Sequence, residues 1–435
     1  MADTLTTRLP PELCSRIFGL AVLEQSITNF KTLLRRLCDV CGTCSDWRNI
    51  AISTPALWCR LRVECKTPLV AIHTFLSRSQ SLPLLFELFF MGDKASAASV
   101  VDRLASIIPH IPRIQHFNLR TNIPEALAAV HDVFHMANSP LLRNLSIGFT
   151  FSPHGEFSPA DIHPLICRTW FEGKYGMLEH LSLSCAYMPF DRLFFPSLRT
   201  LFILDVPFRH SRSASSIASA IANSPQLLQL KIGGFPCHAM NVVTEPIRSA
   251  SVNALDIAFS KDGTTAALAS CLDFPSLSFL RIDLARESDV ESALTCVRLF
   301  RRVRRLVIVA SSNNIFSPDA LFLTPAFPGV VSIDLGGSYP SLFVDLLLVS
   351  SASAINGYST VLPLLQSIRL HRSVRLDLVK EFVLLHGAEQ DRDGSQMCLR
   401  AVRVRRSRPS VEEPVTEEHH GLQQWLHRHV FHFEC

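Results

Sequence analysis

The chain has 435 residues, 48% of them hydrophobic and 18% charged, and a formal net charge of +4. Such a length exceeds one compact core and suits two or three domains or one elongated repeat array, while the mild charge gives no ground for nucleic-acid binding. The most apolar run, around Leu342 to Ile355, is interrupted by Asp345 and several serines and falls short of a spanning helix.

The amino end, MADTLTTRLPPEL, has no basic stretch followed by an apolar core. A chain of the cytoplasm or nucleus, with no membrane partner, is therefore expected. Thirteen cysteines, an odd number scattered along the sequence, argue against a disulfide framework and suggest reduced, buried thiols.

The first predicted helix follows the paired prolines of LPPELCSRIFGLA and sets Leu13, Ile17 and Leu20 on one face. A second apolar stretch runs through Leu33, Leu34, Leu37, Cys41, Cys44 and Trp47, with steps of three and four. A third, NIAISTPALWCRLRV, contains a Ser-Thr-Pro turn before Leu57 and Trp58. Three short segments bury little surface alone, so a neighbour or partner is expected to cover part of them. Cys38, Cys41 and Cys44 have ligand-like gaps, yet a closed zinc site needs a fourth ligand. A ferredoxin-type spacing would need Cys at position 48, where Arg48 stands. The three cysteines are read as core filler, and no metal or cofactor is expected.

These residues resemble the F-box, in particular the F-box-like domain of basidiomycete fungi. The family's opening Leu-Pro-x-Glu-Leu-x-x-x-Ile-Phe is matched by Leu9, Pro10, Glu12, Leu13, Ile17 and Phe18. Its later signature, Val-Cys-x-x-Trp-Arg-x-Ile-Ala-x-Ser-Thr-Pro-x-Leu-Trp, reads here Thr43, Cys44, Trp47, Arg48, Ile50, Ala51, Ser53, Thr54, Pro55, Leu57 and Trp58, with Thr43 in place of Val. The resemblance covers about residues 8–63. It implies docking on the adaptor Skp1, and through it on a cullin ubiquitin ligase, by Leu9, Pro10, Glu12, Leu13, Ile17, Phe18, Trp47, Ile50, Leu57 and Trp58.

Beyond this segment an apolar-x-x-apolar-x-apolar pattern recurs. It fits Ile114-Phe117-Leu119, Leu142-Leu145-Ile147, Leu178-Leu181-Leu183, Leu198-Leu201-Ile203, Leu227-Leu230-Ile232 and Val252-Leu255-Ile257. It continues through Leu277-Leu280-Ile282, Val303-Leu306-Ile308, Val330-Ile333-Leu335, Leu365-Ile368-Leu370 and Leu399-Val402-Val404. Successive middle residues lie mostly 25 to 36 apart. Between them, stretches such as PEALAAVHDVFHMANSP and SASSIASAIANSP read as helices ended by Pro. Each unit is thus helix, Pro turn, short strand. The pattern resembles a leucine-rich repeat over roughly residues 80–408, although the family's Asn after the strand appears only as Asn122.

In a strand alternate residues face outward. That rule selects Lys231, Asp256, Arg281, Asp283, Asp334, Arg369 and His371 as a recognition surface, mixed in charge and so suited to a protein substrate rather than a polyanion. The arginine runs at 301–305 and 403–408 overlap predicted strands and lack interleaved aromatics, so they are read as solvated edges. The His-rich carboxyl end is read as a tail or capping helix. No Gly-rich phosphate loop, G-x-S-x-G elbow or H-E-x-x-H helix occurs, and no enzyme is expected.

The expected fold class is α/β: a three-helix F-box over 1–65, an irregular leucine-rich-repeat α/β solenoid over 66–408, and a tail or capping helix over 409–435. The two resemblances together imply a non-catalytic substrate-recognition subunit of a Skp1-cullin-F-box (SCF) ubiquitin ligase. The alternative is a repeat scaffold without ligase assembly, its helical segment serving as an amino-terminal cap.

Overall fold

A computed structural model describes residues 9–23, 30–91, 97–150, 170–186, 188, 190, 193–204, 213–234, 246–258, 269, 271–284, 301–310, 328–337, 364–371, 379–380, 383, 401–405, 424–425 and 432–434. The fold is α/β, and the chain divides into two compact units, Met1–Leu198 and Arg199–Cys435.

The first unit opens with helices α1 (Pro11–Leu23), α2 (Phe30–Thr43) and α3 (Ser45–Ile52), then a 3-10 turn at Pro55–Trp58. Pro10 starts α1 by lending its carbonyl to the amides of Leu13 and Cys14, at 3.0 and 3.1 Å. Pro11 needs no hydrogen bond at the first helical position, and Glu12 complements the positive end of the helix dipole. The expected second segment breaks in two at Cys44. The backbone there is extended, and the Cys44 thiol caps α3 by accepting from the Trp47 amide at 3.4 Å. The third segment ends α3, makes the 3-10 turn and enters a strand.

That strand is β1 (Arg60–Glu64). There follow α4 (Leu69–Arg78), β2 (Leu84–Phe90), α5 (Ala97–Ala105), β3 (Ile114–Thr121), α6 (Pro124–Phe134), β4 (Asn144–Phe149) and β5 (His180–Ser184). Each strand pairs in parallel with the next. The array thus begins earlier than the repeat pattern suggested. Leu61 and Val63 of β1 align with Phe86 and Leu88 of β2, and these with Phe117 and Leu119 of β3. Helices cover the buried side: the Phe134 ring of α6 lies 4.6 Å from that of Phe117, and Phe75 of α4 lies 5.1 Å from Trp58.

The second unit contains β6 (Thr200–Leu204), α7 (Ser213–Ala222), β7 (Gln229–Gly233), β8 (Ile247–Arg248), β9 (Ala254–Ala258), β10 (Leu272–Asp273), β11 (Phe279–Leu284), β12 (Arg305–Ala310), β13 (Ser332–Gly337), β14 (Ser367–His371), β15 (Ala401–Arg405) and β16 (His432–Glu434). Strands β8 and β10 pair with each other, and the rest form a parallel sheet in chain order. The final strand corrects the reading of the carboxyl end as tail or helix alone. His432, Phe433 and Glu434 pair with Ala401, Val402 and Arg403.

The triads form the core. Every member of the first ten is buried, as is Val402 of the eleventh, whose Leu399 lies outside the described residues. Their register is in phase. Leu230, Leu255, Leu280, Leu306, Ile333, Ile368 and Val402 stand side by side across seven strands. A backbone device repeats with them. Two successive amides at the start of several strands converge on the one carbonyl just before the preceding strand: Asn253 and Ala254 on Leu228, Ser278 and Phe279 on Asn253, Arg304 and Arg305 on Ser278, Val331 and Ser332 on Arg304. Side chains need supply nothing to this alignment.

Candidate functional site

Helix α1 is apolar on two sides. One side buries Cys14, Phe18 and Val22. On the other, Leu9, Leu13, Ile17 and Leu20 remain 43%, 44%, 47% and 55% exposed. Residues three and four apart share a helical face, so Leu13, Ile17 and Leu20 make one stripe continued by Leu9 and Pro10. Underneath, the helix is held by Ser15 Oγ against Thr54 Oγ1 at 2.9 Å and by the Phe18 and Trp47 rings, 5.0 Å apart.

The ten residues expected to meet the adaptor therefore divide. Leu9, Pro10, Glu12, Leu13 and Ile17 lie on the surface, and Trp47 and Ile50 are half-buried. Phe18, Leu57 and Trp58 are buried within the chain, which corrects their expected place in the contact. Trp58 donates its indole N–H to the Ala51 carbonyl at 2.9 Å and lies beneath the Arg78 guanidinium. It joins the helices to β1 and cannot offer its face to a partner.

The cysteines need a correction too. Cys38 is exposed and Cys41 and Cys44 half-buried, so only Cys14 of this region fills the core. Burial pushes the Cys41 thiol above its usual value, with Cys38 adding to the shift against Arg78 and Arg48, which keeps it protonated. Among the described residues no group of three His, Cys, Asp or Glu is placed to hold a metal ion, and no helix is long and apolar enough to cross a membrane.

The recognition residues expected on the second unit do come together. Lys231, Asp256, Arg281, Val307, Asp334 and Arg369 follow one another in register across β7, β9, β11, β12, β13 and β14. Lys231 Nζ lies 3.0 Å from Asp256 Oδ2, Arg281 Nε 3.0 Å from Asp283 Oδ1, and Arg369 Nη1 3.5 Å from Asp334 Oδ2. Asp256 and Asp334 are buried, so they form the floor of this surface and not its reaching groups. Burial pushes the Asp256 carboxyl above the usual carboxylate value despite Lys231, and its Oδ1 has no hydrogen-bond partner. His371 sits in β14 opposite Arg405, and its side chain lies outside the described residues. Arg301, Arg302, Arg304 and Arg305 are exposed around buried Val303, as a solvated strand edge requires.

No family model and no curated protein matches this chain. Among the described residues the chain presents an exposed apolar stripe on α1 and parallel strands with polar and charged side chains on their outward face.

One surface escaped the sequence reading. The outward positions of β3, β4 and β5 align as three rows: His116, Asn144, His180; Asn118, Ser146, Ser182; and Arg120, Gly148, Ser184. The same alternation that selected Lys231 and its neighbours selects these. They were passed over because neutral serines carry no charge signal.

Proposed function

We propose that this chain is a substrate-recognition subunit of an SCF-type ubiquitin ligase, an F-box joined to an irregular leucine-rich-repeat solenoid. The observation that carries the proposal is the α1 stripe of Leu9, Leu13, Ile17 and Leu20, an apolar surface on a helix whose opposite side is already packed. It falls on residues whose motif resembles the F-box. In that reading α1 docks on a Skp1-type adaptor in the cytoplasm or nucleus, and the strand surfaces hold a protein substrate. The chain supplies no nucleophile. It raises the concentration of the bound substrate beside the ubiquitin-charged enzyme.

The test is co-expression with the host's Skp1, followed by size-exclusion chromatography beside Leu13→Glu and Ile17→Glu. A one-to-one complex that both variants lose, with unchanged melting temperatures, is the expected result. A wild type that elutes alone refutes the docking.

A second reading has its own support. Trp58, fixed to Ala51 and stacked edge-on against Phe75, ties the helices to the first strand as an amino-terminal cap would be tied. A cap alone predicts no adaptor complex, with Trp58→Ala lowering stability and the stripe variants leaving it unchanged.

A further inference from the structure

On the outward face of β1 to β5, most charge is cancelled locally. Arg60 meets Glu87 at 3.1 Å, and Arg62 meets Glu64 at 2.9 Å while its guanidinium covers the Phe89 ring. Arg120 is exposed and has no carboxylate partner among the described residues. Next to it β4 carries Gly148, where an added Cβ would meet Arg120 Cγ at 3.8 Å and Ser184 Cβ at 4.0 Å. Gly148 therefore floors a notch walled by the arginine stem and a serine, with Ser146 and Ser182 one position away along β4 and β5. Strands lie about 4.8 Å apart and outward residues about 6.6 Å apart along each strand, so this patch is about 10 by 13 Å, the span of a few extended residues.

We propose that this patch is a subsite for an acidic peptide segment, with Arg120 meeting a glutamate or aspartate side chain and the serine hydroxyls donating around it. A carboxylate accepts two N–H bonds from a guanidinium and still has lone pairs for hydroxyl donors. One unpaired cation matches a monoanion, whereas a phosphate dianion would keep an uncancelled charge. Nucleic acid would need more cations and an open aromatic ring, and Phe89 is covered. The peptide class rests on the receptor reading, but the subsite and the adaptor stripe are separate and fail separately.

The probe is a labelled pool of short peptides with one fixed central glutamate in an otherwise degenerate, acid-free sequence, applied to the immobilised full-length chain. Counterpart pools carry glutamine or phosphoserine, and single-stranded RNA is a fourth. The glutamate pool is expected to be retained about tenfold over the glutamine pool, and Arg120→Ala or Gly148→Asp should remove that excess. Gly148→Asp has room for its Cβ, and unchanged melting temperatures confirm that both variants fold. Leu13→Glu should keep peptide retention while losing the adaptor. Equal retention of the glutamate and glutamine pools overturns the subsite, as does glutamate retention that survives both variants. Preference for phosphoserine or RNA over glutamate overturns the ligand class. If the peptide excess is absent while the adaptor complex forms, the subsite alone falls; the opposite pattern removes the receptor reading and leaves the subsite standing.

Discussion

The strand face of the first unit and that of the second are made from the same triads yet differ in how they treat charge. From β7 to β14 the outward column alternates in sign, and its cations and anions are spent on each other: Lys231 with Asp256, Arg281 with Asp283, Arg369 with Asp334. Beyond β2 the outward rows of β3 to β5 offer instead, among the described residues, hydrogen-bonding side chains around one arginine without a carboxylate partner. An internally paired surface resists deformation and tends to exclude ligands of either sign, because any newcomer must displace an existing partner. A surface of hydroxyls and one open cation has its hydrogen-bonding capacity unspent. Abundance of charge and readiness to bind are thus different properties: a ligand on the second unit must compete with these ion pairs, and one on the first unit's open row need not.

The largest effects should show what the units share. Phe117→Ala is expected to cost about 3–5 kcal/mol and Leu280→Ala about 2–5 kcal/mol in chemical denaturation, since both sit in the buried row. A much smaller loss for either would mean that its triad is not a true core element.

A sharper contrast comes from two glycines. A Cβ at Gly233 would lie 2.6 Å from Ala258 Cβ and 2.9 Å from its carbonyl oxygen, so Gly233→Ala must push a backbone aside and should cost about 1–3 kcal/mol. At Gly148 the nearest atom is 3.8 Å away, and Gly148→Ala should stabilise by about 0.5 kcal/mol. Equal changes at both would erase this difference between the units.

The smallest effect is a difference in response to acid. Burial, with help from His180 and Arg143, holds His116 below the ordinary imidazole value of 6.5. The unfolded chain then binds a proton more readily, so stability should fall as the pH drops through 6.5 toward the lowered value. Asp256 is raised above 3.8, chiefly by burial, so there the folded chain binds the proton more readily. Its contribution should rise as the pH drops through the raised value, levelling off at the ordinary one. Hydrogen exchange at β3 and β9 amides would register the two slopes, and His116→Asn and Asp256→Asn should flatten each in turn.

Much of this was legible in the sequence because burial in a strand has a short period. The triads gave the buried strand positions from β3 onward, and Pro-ended segments gave α6 and α7, while the buried residues of the helices and connections lay outside the pattern. Where the reading stopped short, other physics governed. The first two strands escaped since Pro83 occupies the first triad place before Phe86 and Leu88, and Trp58, Leu61 and Val63 had been absorbed into the helical motif. The cysteines had ligand-like gaps and, for want of a fourth ligand, were read as core filler, but a helix cap depends on backbone angle at Cys44, which spacing does not encode. Phe18, Leu57 and Trp58 were grouped with the docking residues because a motif records what is required without separating surface from support. Asp256 and Asp334 were correctly placed outward, while their depth depended on the small or paired neighbours across the strands.

The paired amides that converge on a single carbonyl at several strand starts carry a lesson about sequence drift. Because the link is main chain to main chain, positions such as 253, 254, 278, 279, 304 and 305 accept any residue with an amide hydrogen and refuse proline alone. Repeats joined this way can diverge through every polar position, exchange the turn asparagine for almost anything, and vary in length between strands without losing alignment. Descent would then be recorded mainly in the buried triads, and new specificities could be written on the outward rows at little structural cost.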